Sequence, residues 1–206
     1  GDALLRFDPV SGESSTLARL PRDHPRNAAM QVAPDARTVL VAQGDNQLVY
    51  RLEAGQLKPL GKLAGEARAQ AVALGRDWIA VASHDGARLR VYRSADATLA
   101  AEHVLDAGRV RDLRVLDAPA RVAAASFGPE LRVFALDDAA PPRTLSLPRG
   151  AQALAWLPDY PTLLAAGEGG LALWRDPGWL DQSHAEVASA AGALHADGGG
   201  VLLLDA

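Results

Sequence analysis

Ile79-Ala-Val-Ala-Ser-His-Asp-Gly-Ala-Arg-Leu-Arg-Val-Tyr92 is an apolar run, a Gly-bearing turn and a second run that ends on an aromatic residue. Short apolar runs with period-two alternation, bounded by turn residues, read as strands. The stretch is therefore predicted to be a β-hairpin. The same pattern recurs in Val39-Leu-Val-Ala-Gln-Gly-Asp-Asn-Gln-Leu-Val-Tyr50, in Val122-Ala-Ala-Ala-Ser-Phe-Gly-Pro-Glu-Leu-Arg-Val-Phe134 and in Leu163-Leu-Ala-Ala-Gly-Glu-Gly-Gly-Leu-Ala-Leu-Trp174. The aromatic ends are 42, 42 and 40 residues apart. Self-similarity at such a period marks a repeat architecture.

A fifth copy is split between the chain ends. Val201-Leu-Leu-Leu-Asp-Ala206 supplies its first run and Gly1-Asp-Ala-Leu-Leu-Arg-Phe7 its second, with a turn expected from Asp205 to Asp2. Each unit also has a leading run, at 28–32, 70–74, 111–115, 152–156 and 191–195. Each has a trailing run near 56–63, 98–105, 143–147, 184–188 and 16–20. Four antiparallel strands per repeat of this length form a propeller blade. A single blade cannot bury both faces, so blades must stack. The predicted fold is all-β: a five-bladed β-propeller closed by pairing the N-terminal and C-terminal half-blades. The blades are expected at 27–66, 67–108, 109–150, 151–189, and 190–206 plus 1–26, all in one domain.

Ala33-Pro-Asp-Ala-Arg-Thr-Val-Leu-Val-Ala42, running on to Leu52-Glu-Ala-Gly, resembles the repeats of WD40-like and YVTN-type bacterial propellers. Leu157-Pro-Asp-Tyr-Pro-Thr-Leu-Leu-Ala-Ala166 is a second such segment. The resemblance implies the fold and no catalytic residue. The Gly-His pair that opens true WD40 repeats is missing, and Trp174-Arg-Asp176 only approximates their Trp-Asp ending.

Composition narrows the function classes. The 206 residues contain no cysteine, which removes disulfides, thiolate metal sites and a cysteine nucleophile. The net charge of −4 disfavours a nucleic-acid partner, and no apolar run reaches the length of a membrane span. Lys58 and Lys62 are the only lysines beside abundant Arg, Ala and Leu, which points to a GC-rich bacterial genome. With Gly1 where an initiator Met would stand, the chain is expected to be a processed or trimmed product. The expectation is a soluble domain, with the bacterial periplasm favoured over the cytoplasm.

In a propeller, the loops entering the first strands share one end of the ring with the turns between second and third strands. These entering loops carry Arg26, Arg68, Arg109 and Arg149, at spacings of 42, 41 and 40, and Gln70, Arg111 and Gln152 follow just inside. Guanidinium forks suit carboxylate and phosphate, and several at one mouth concentrate positive potential. The bland reading is that they solvate exposed turns and are neutralised by Asp23, Glu66 and Asp112.

Other candidates read as structural. His24, His84, His103, His184 and His195 show no metal-ligand spacing. Asp35, Asp77, Asp159 and Asp197 recur at turns, where Asp bonds local backbone. Gly167-Glu-Gly-Gly170 and Asp197-Gly-Gly-Gly200 fall at hairpin turns rather than before helices, so they are not phosphate loops. Trp156 and Trp174 are expected in the core, Trp78 opens a second strand, and Trp179 is either loop packing or an exposed anchor.

The expected function is non-enzymatic recognition of a protein, an acidic peptide or a small anionic ligand at the arginine-lined mouth, with no cofactor and no metal. The alternatives are a lactonase-like or glycosidase-like hydrolase and a sugar-binding lectin. A glycosidase needs two carboxylates flanking the scissile bond, and only Asp112 lies in an innermost strand. A lectin needs a repeated aromatic and polar set in the loops, and the repeated aromatics belong to the core.

Overall fold

A computed structural model describes residues 3–19, 28–33, 37–43, 46–53, 56–63, 69–83, 85–105, 109–117, 120–136, 140–147, 150–157, 162–167, 170–175, 182–185, 191–197 and 200–205. Every regular element among them is a strand. Four four-stranded antiparallel sheets follow one another along the chain. The first is β3 (Ala28–Val32), β4 (Thr38–Gln43), β5 (Asn46–Glu53) and β6 (Gln56–Lys62). The second is β7 (Ala69–Leu74), β8 (Trp78–Ser83), β9 (Arg88–Arg93) and β10 (Leu99–Val104). The third is β11 (Val110–Asp117), β12 (Ala120–Ser126), β13 (Glu130–Ala135) and β14 (Arg143–Ser146). The fourth is β15 (Ala153–Leu157), β16 (Thr162–Gly167), β17 (Gly170–Arg175) and β18 (Gln182–Ala185). Each pairs in sequence order, so every connection is a hairpin.

The four central hairpins have one register. Val39 faces Tyr50, Ile79 faces Tyr92, Val122 faces Phe134 and Leu163 faces Trp174. Period-two alternation then sends these aromatics toward one face of each sheet, where they meet the preceding sheet. The cores lie between sheets. Leu40, Val49 and Leu63 of the first sheet pack with Ile79, Val81 and Tyr92 of the second. Leu89 and Val91 of the second pack with Leu113, Val122 and Phe134 of the third. Leu116, Leu131 and Val133 of the third pack with Leu154, Leu163 and Trp174 of the fourth. Residues Val122–Ser126 and all of β16 are buried without alternation, because those strands have a sheet against both faces.

The innermost strands are also laced by side chains. Gln31 Nε2 donates to Val72 O at 2.6 Å, and Val110 N–H donates to Gln70 Oε1 at 2.9 Å. Leu154 N–H donates to Asp112 Oδ2 at 2.8 Å, and Arg114 Nε donates to Leu154 O at 2.6 Å. Neighbouring innermost strands belong to different sheets, so their inward backbone groups lack ladder partners. Long polar side chains one repeat away satisfy them, as buried backbone groups require.

The chain ends form two two-stranded sheets, β1 (Ala3–Phe7) with β2 (Ser14–Arg19), and β19 (Ala191–Asp197) with β20 (Gly200–Asp205). The strands of the split repeat thus stand where expected, but in separate sheets rather than one. Leu17 of β2 packs against the cluster of Val39, Val41, Tyr50 and Leu57 on the first sheet. At the other end, β19 lies against β15 and β16.

Three boundaries need correction. The inner strand of the third sheet opens at Val110, one residue before the expected Arg111, and runs to Asp117. That of the fourth opens at Ala153, leaving Gln152 in the preceding bend. The outer strand of the fourth sheet opens at Gln182 rather than at 184, where it pairs with Trp174 of β17, and residues 186–188 lie outside the described residues.

Candidate functional site

At one end of the sheet stack lie the segments entering the first strands and the turns between second and third strands. Arg109 of the expected ring and Arg111, expected just inside it, are exposed there. Their guanidinium carbons stand 5.9 and 3.7 Å from the ring centroid of Phe127. Phe127 is 56% exposed, in the turn between β12 and β13. Arg26, Arg68 and Arg149 lie outside the described residues, as do His24, His84 and Trp179.

Local backbone geometry gives Gln70, Arg111 and Gln152 equivalent places in their sheets. The β7–β8 register shifts between Ala69 and Ala71, and the β11–β12 register shifts between Val110 and Asp112. Gln70 and Arg111 are the extra residues of these two bulges. Gln152 takes the same place in the fourth sheet: its N–H donates to Ala166 O at 2.8 Å, while Ala166 faces Ala153. A bulge leaves one residue unpaired and re-aims its side chain, often at a functional rim. Gln70 uses its Oε1 on the Val110 N–H, so it also holds the backbone that presents Arg109 and Arg111.

The rim is closely built. Gly150 has φ +75° in the segment entering the fourth sheet, and a Cβ there would come within 2.6 Å of Gly128 O. Only glycine combines that conformation with that approach. The contact seats the fourth sheet directly beneath the Phe127 turn. Ser126 Oγ accepts the Gly128 N–H at 3.3 Å and fixes the turn from inside.

Asp112 does not neutralise this pair. Its Oδ1 accepts the Leu113 N–H at 2.9 Å and its Oδ2 the Leu154 N–H, with Arg114 Nη2 3.4 Å away. Burial pushes its carboxyl above the ordinary range, opposed by Arg114 and by the two N–H groups. Its Oδ2 joins two sheets, and its Oδ1 is held by its own strand. Trp174 is fully buried and Trp156 packs on the same core, whereas His103 is buried beside Phe134 at 5.0 Å. Phe127 was not singled out from sequence. Its signal was an aromatic side chain in a hairpin turn where other repeats place Gly, Asp, His or Glu.

No family model and no curated protein matches this chain. Solved structures do. A chain in the crystal structure of a mitotic checkpoint complex is 18% identical with a TM-score of 0.69, over 93% of this chain and 64% of its own length. The crystal structure of the computationally designed Ika8 protein is 17% identical with a TM-score of 0.73, over 98% of this chain and 62% of its own. The fold resembles a β-propeller of the WD40 kind. The chain spans somewhat under two thirds of the length of either neighbour. In all, 1186 chains of known structure match, a likeness so broad that it speaks for fold and not for function. Among the described residues, no helix is long and apolar enough to cross a membrane.

Proposed function

We propose that this chain is a non-enzymatic β-propeller recognition module that docks an acidic peptide segment of a protein partner on the rim of its third blade. The observation that carries the proposal is the exposed Phe127 ring flanked by the Arg109 and Arg111 guanidiniums. A stacked guanidinium keeps its in-plane donors free for a carboxylate while its position is fixed by the ring. The ring itself offers apolar area that a partner can cover, and aromatic–arginine clusters are typical binding hot spots. The fit is to a carboxylate beside an apolar side chain. A hydrolase reading is disfavoured because Asp112 spends its oxygens on backbone N–H groups and Arg114.

The same proposal includes a ring of five blades. β1–β2 takes the outer place beside the first blade and β19–β20 the inner place beside the fourth, so each has the half that the other lacks. Pairing β20 with β1 would complete one blade and remove two open edges. Cysteines introduced as Leu5→Cys and Leu203→Cys, opposite one another when Val201 faces Phe7 as Val122 faces Phe134, test this in a chain with none of its own. Spontaneous oxidation in the folded monomer requires the two Cβ atoms within about 4.5 Å. A pair that stays reduced while the protein is folded refutes closure.

The rim is tested by calorimetric titration with an acidic, aromatic-bearing peptide. Arg109→Ala with Arg111→Ala should weaken binding about tenfold or more, with charge-assisted bonds lost. Binding should also weaken with salt, because the rim is open to solvent. Equal affinity in wild type and double variant overturns the site.

A further inference from the structure

The opposite end of the stack carries a second cationic site. Between the first and second blades, where first strands turn into second strands, lies an open cavity of 660 Å³. Among the described residues, Arg37 and Arg51 of the first blade and Arg76 and Arg93 of the second line it, with two carboxylates, Glu53 and Asp77. Glu53 is already paired with Lys58 at 2.8 Å, which holds its carboxyl below the usual range. The cavity is therefore a concentration of positive charge in a chain whose net charge is −4.

Its walls are pre-organised. Arg51 Nη2 donates to Ser94 O at 3.2 Å, and the Arg93 guanidinium sits 5.0 Å from the Trp78 ring centroid. Ser94 is fixed in turn: its N–H donates to Asp77 O at 2.9 Å and its Oγ to Arg76 O at 3.0 Å. The Arg76 N–H donates to Asp117 Oδ1 of the third blade at 2.8 Å, so the turn bearing Arg76 is held from both sides. Guanidiniums held this way have lost part of their side-chain freedom before any ligand arrives.

We propose that this inter-blade cavity binds a small ligand carrying two or more phosphate groups. Several guanidiniums facing one space repel one another, and a compact polyanion relieves that repulsion while accepting forked hydrogen bonds. One phosphate would fill little of the cavity, whose volume lies within the range of small-ligand sites. Two phosphates on one molecule would span the arginines of both blades. The site is independent of the rim at Arg109 and Arg111, which faces the other end.

The probe is inorganic pyrophosphate, titrated calorimetrically and in melting experiments at two ionic strengths, with inorganic phosphate for comparison. Pyrophosphate should raise the melting temperature by mass action, more than phosphate at equal concentration, and less as salt rises. Arg37→Gln with Arg76→Gln should weaken it about tenfold or more, since charge-assisted bonds are lost. Arg76→Lys keeps the charge but not the fork, and should still weaken it if the double variant proves unstable. The rim variant Arg109→Ala with Arg111→Ala should bind pyrophosphate as wild type does. Three results overturn the inference: no pyrophosphate binding in wild type, unchanged binding in folded cavity variants, or loss in the rim variant alone. The last would locate the anion at the rim and leave the docking proposal standing.

Discussion

Phe134 and Phe7 hold the same place in the repeat, at the aromatic end of a third strand, yet their surroundings are opposite. Phe134 is fully buried between the second and third blades, whereas Phe7 is 63% exposed at the end of a two-stranded sheet. Trp174 and Tyr92 share the fate of Phe134, and Leu5 shares that of Phe7. The residue type and the hairpin pattern do not differ, so burial here belongs to the neighbours. A central hairpin has an inner strand, an outer strand and a sheet against its face. Among the described residues, β1–β2 shows its own two strands and the Leu17 contact with the first blade.

The largest test of that comparison is truncation of the aromatics. Phe134→Ala and Trp174→Ala should each cost about 3–5 kcal/mol in urea denaturation, the range for removing a large core aromatic. Closure as proposed above brings Phe7 toward the same class. A loss above about 2 kcal/mol for Phe7→Ala supports it, and a loss within about 0.5 kcal/mol, typical of an exposed site, counts against it.

The laces between inner strands come next. Asp112→Ala strands the Leu154 N–H in a partly buried position and should cost about 1–3 kcal/mol, the desolvation of an unmet donor. Asp112→Asn keeps an acceptor oxygen and removes a charge that burial penalises, so it should cost less. Denaturation curves that reverse this order would show the carboxylate charge itself, paired with Arg114, to be the stabilising element.

A smaller effect separates Asp117 from the exposed carboxylates by pH. Burial raises the Asp117 carboxyl above its ordinary value, and the nearby Asp77 charge adds to the shift against the N–H bonds of Arg76 and Asp77. A raised carboxyl binds its proton more tightly in the folded state. Its stabilising contribution is full below the unfolded value and is lost as pH rises through the folded one. Asp117→Asn keeps the Arg76 contact without the titration. Relative to wild type, the variant should therefore gain stability from pH 4 to pH 7, and a difference that is flat across this range would refute the buried carboxylate. Glu102, held below the usual range by Arg90 and Arg88, should show the opposite slope.

The smallest expected stability change is at the rim. Phe127→Ala should leave denaturation within about 0.5 kcal/mol, as for other exposed positions, while weakening the acidic peptide. A large stability loss would make Phe127 a packing residue and remove the reason to regard it as a docking surface.

Much of this frame was legible in residue patterns. The hairpin register follows from period-two alternation and from an aromatic end repeated every 40 or 42 residues. The starts of the inner strands were less legible. Gln70 and Arg111 are bulge residues, and a bulge is defined by the partner strand as much as by its own sequence. Phe127 was in plain view but carried no meaning until Arg109 and Arg111 were seen beside it. The cavity at the other end was harder still. Arg37 with Arg76, and Arg51 with Arg93, recur at about one repeat, but only the spacing between blades turns that recurrence into a shared space.

The laces have one more consequence. The Val110 N–H is held by Gln70 of the blade before it, and the Leu154 N–H by Asp112 of the blade before it. Neither bond lies within a sheet, so fraying of a sheet edge leaves both intact. Amide hydrogen exchange at these two positions is a gauge of blades parting from one another, and it reads the seam between the second and third blades separately from that between the third and fourth.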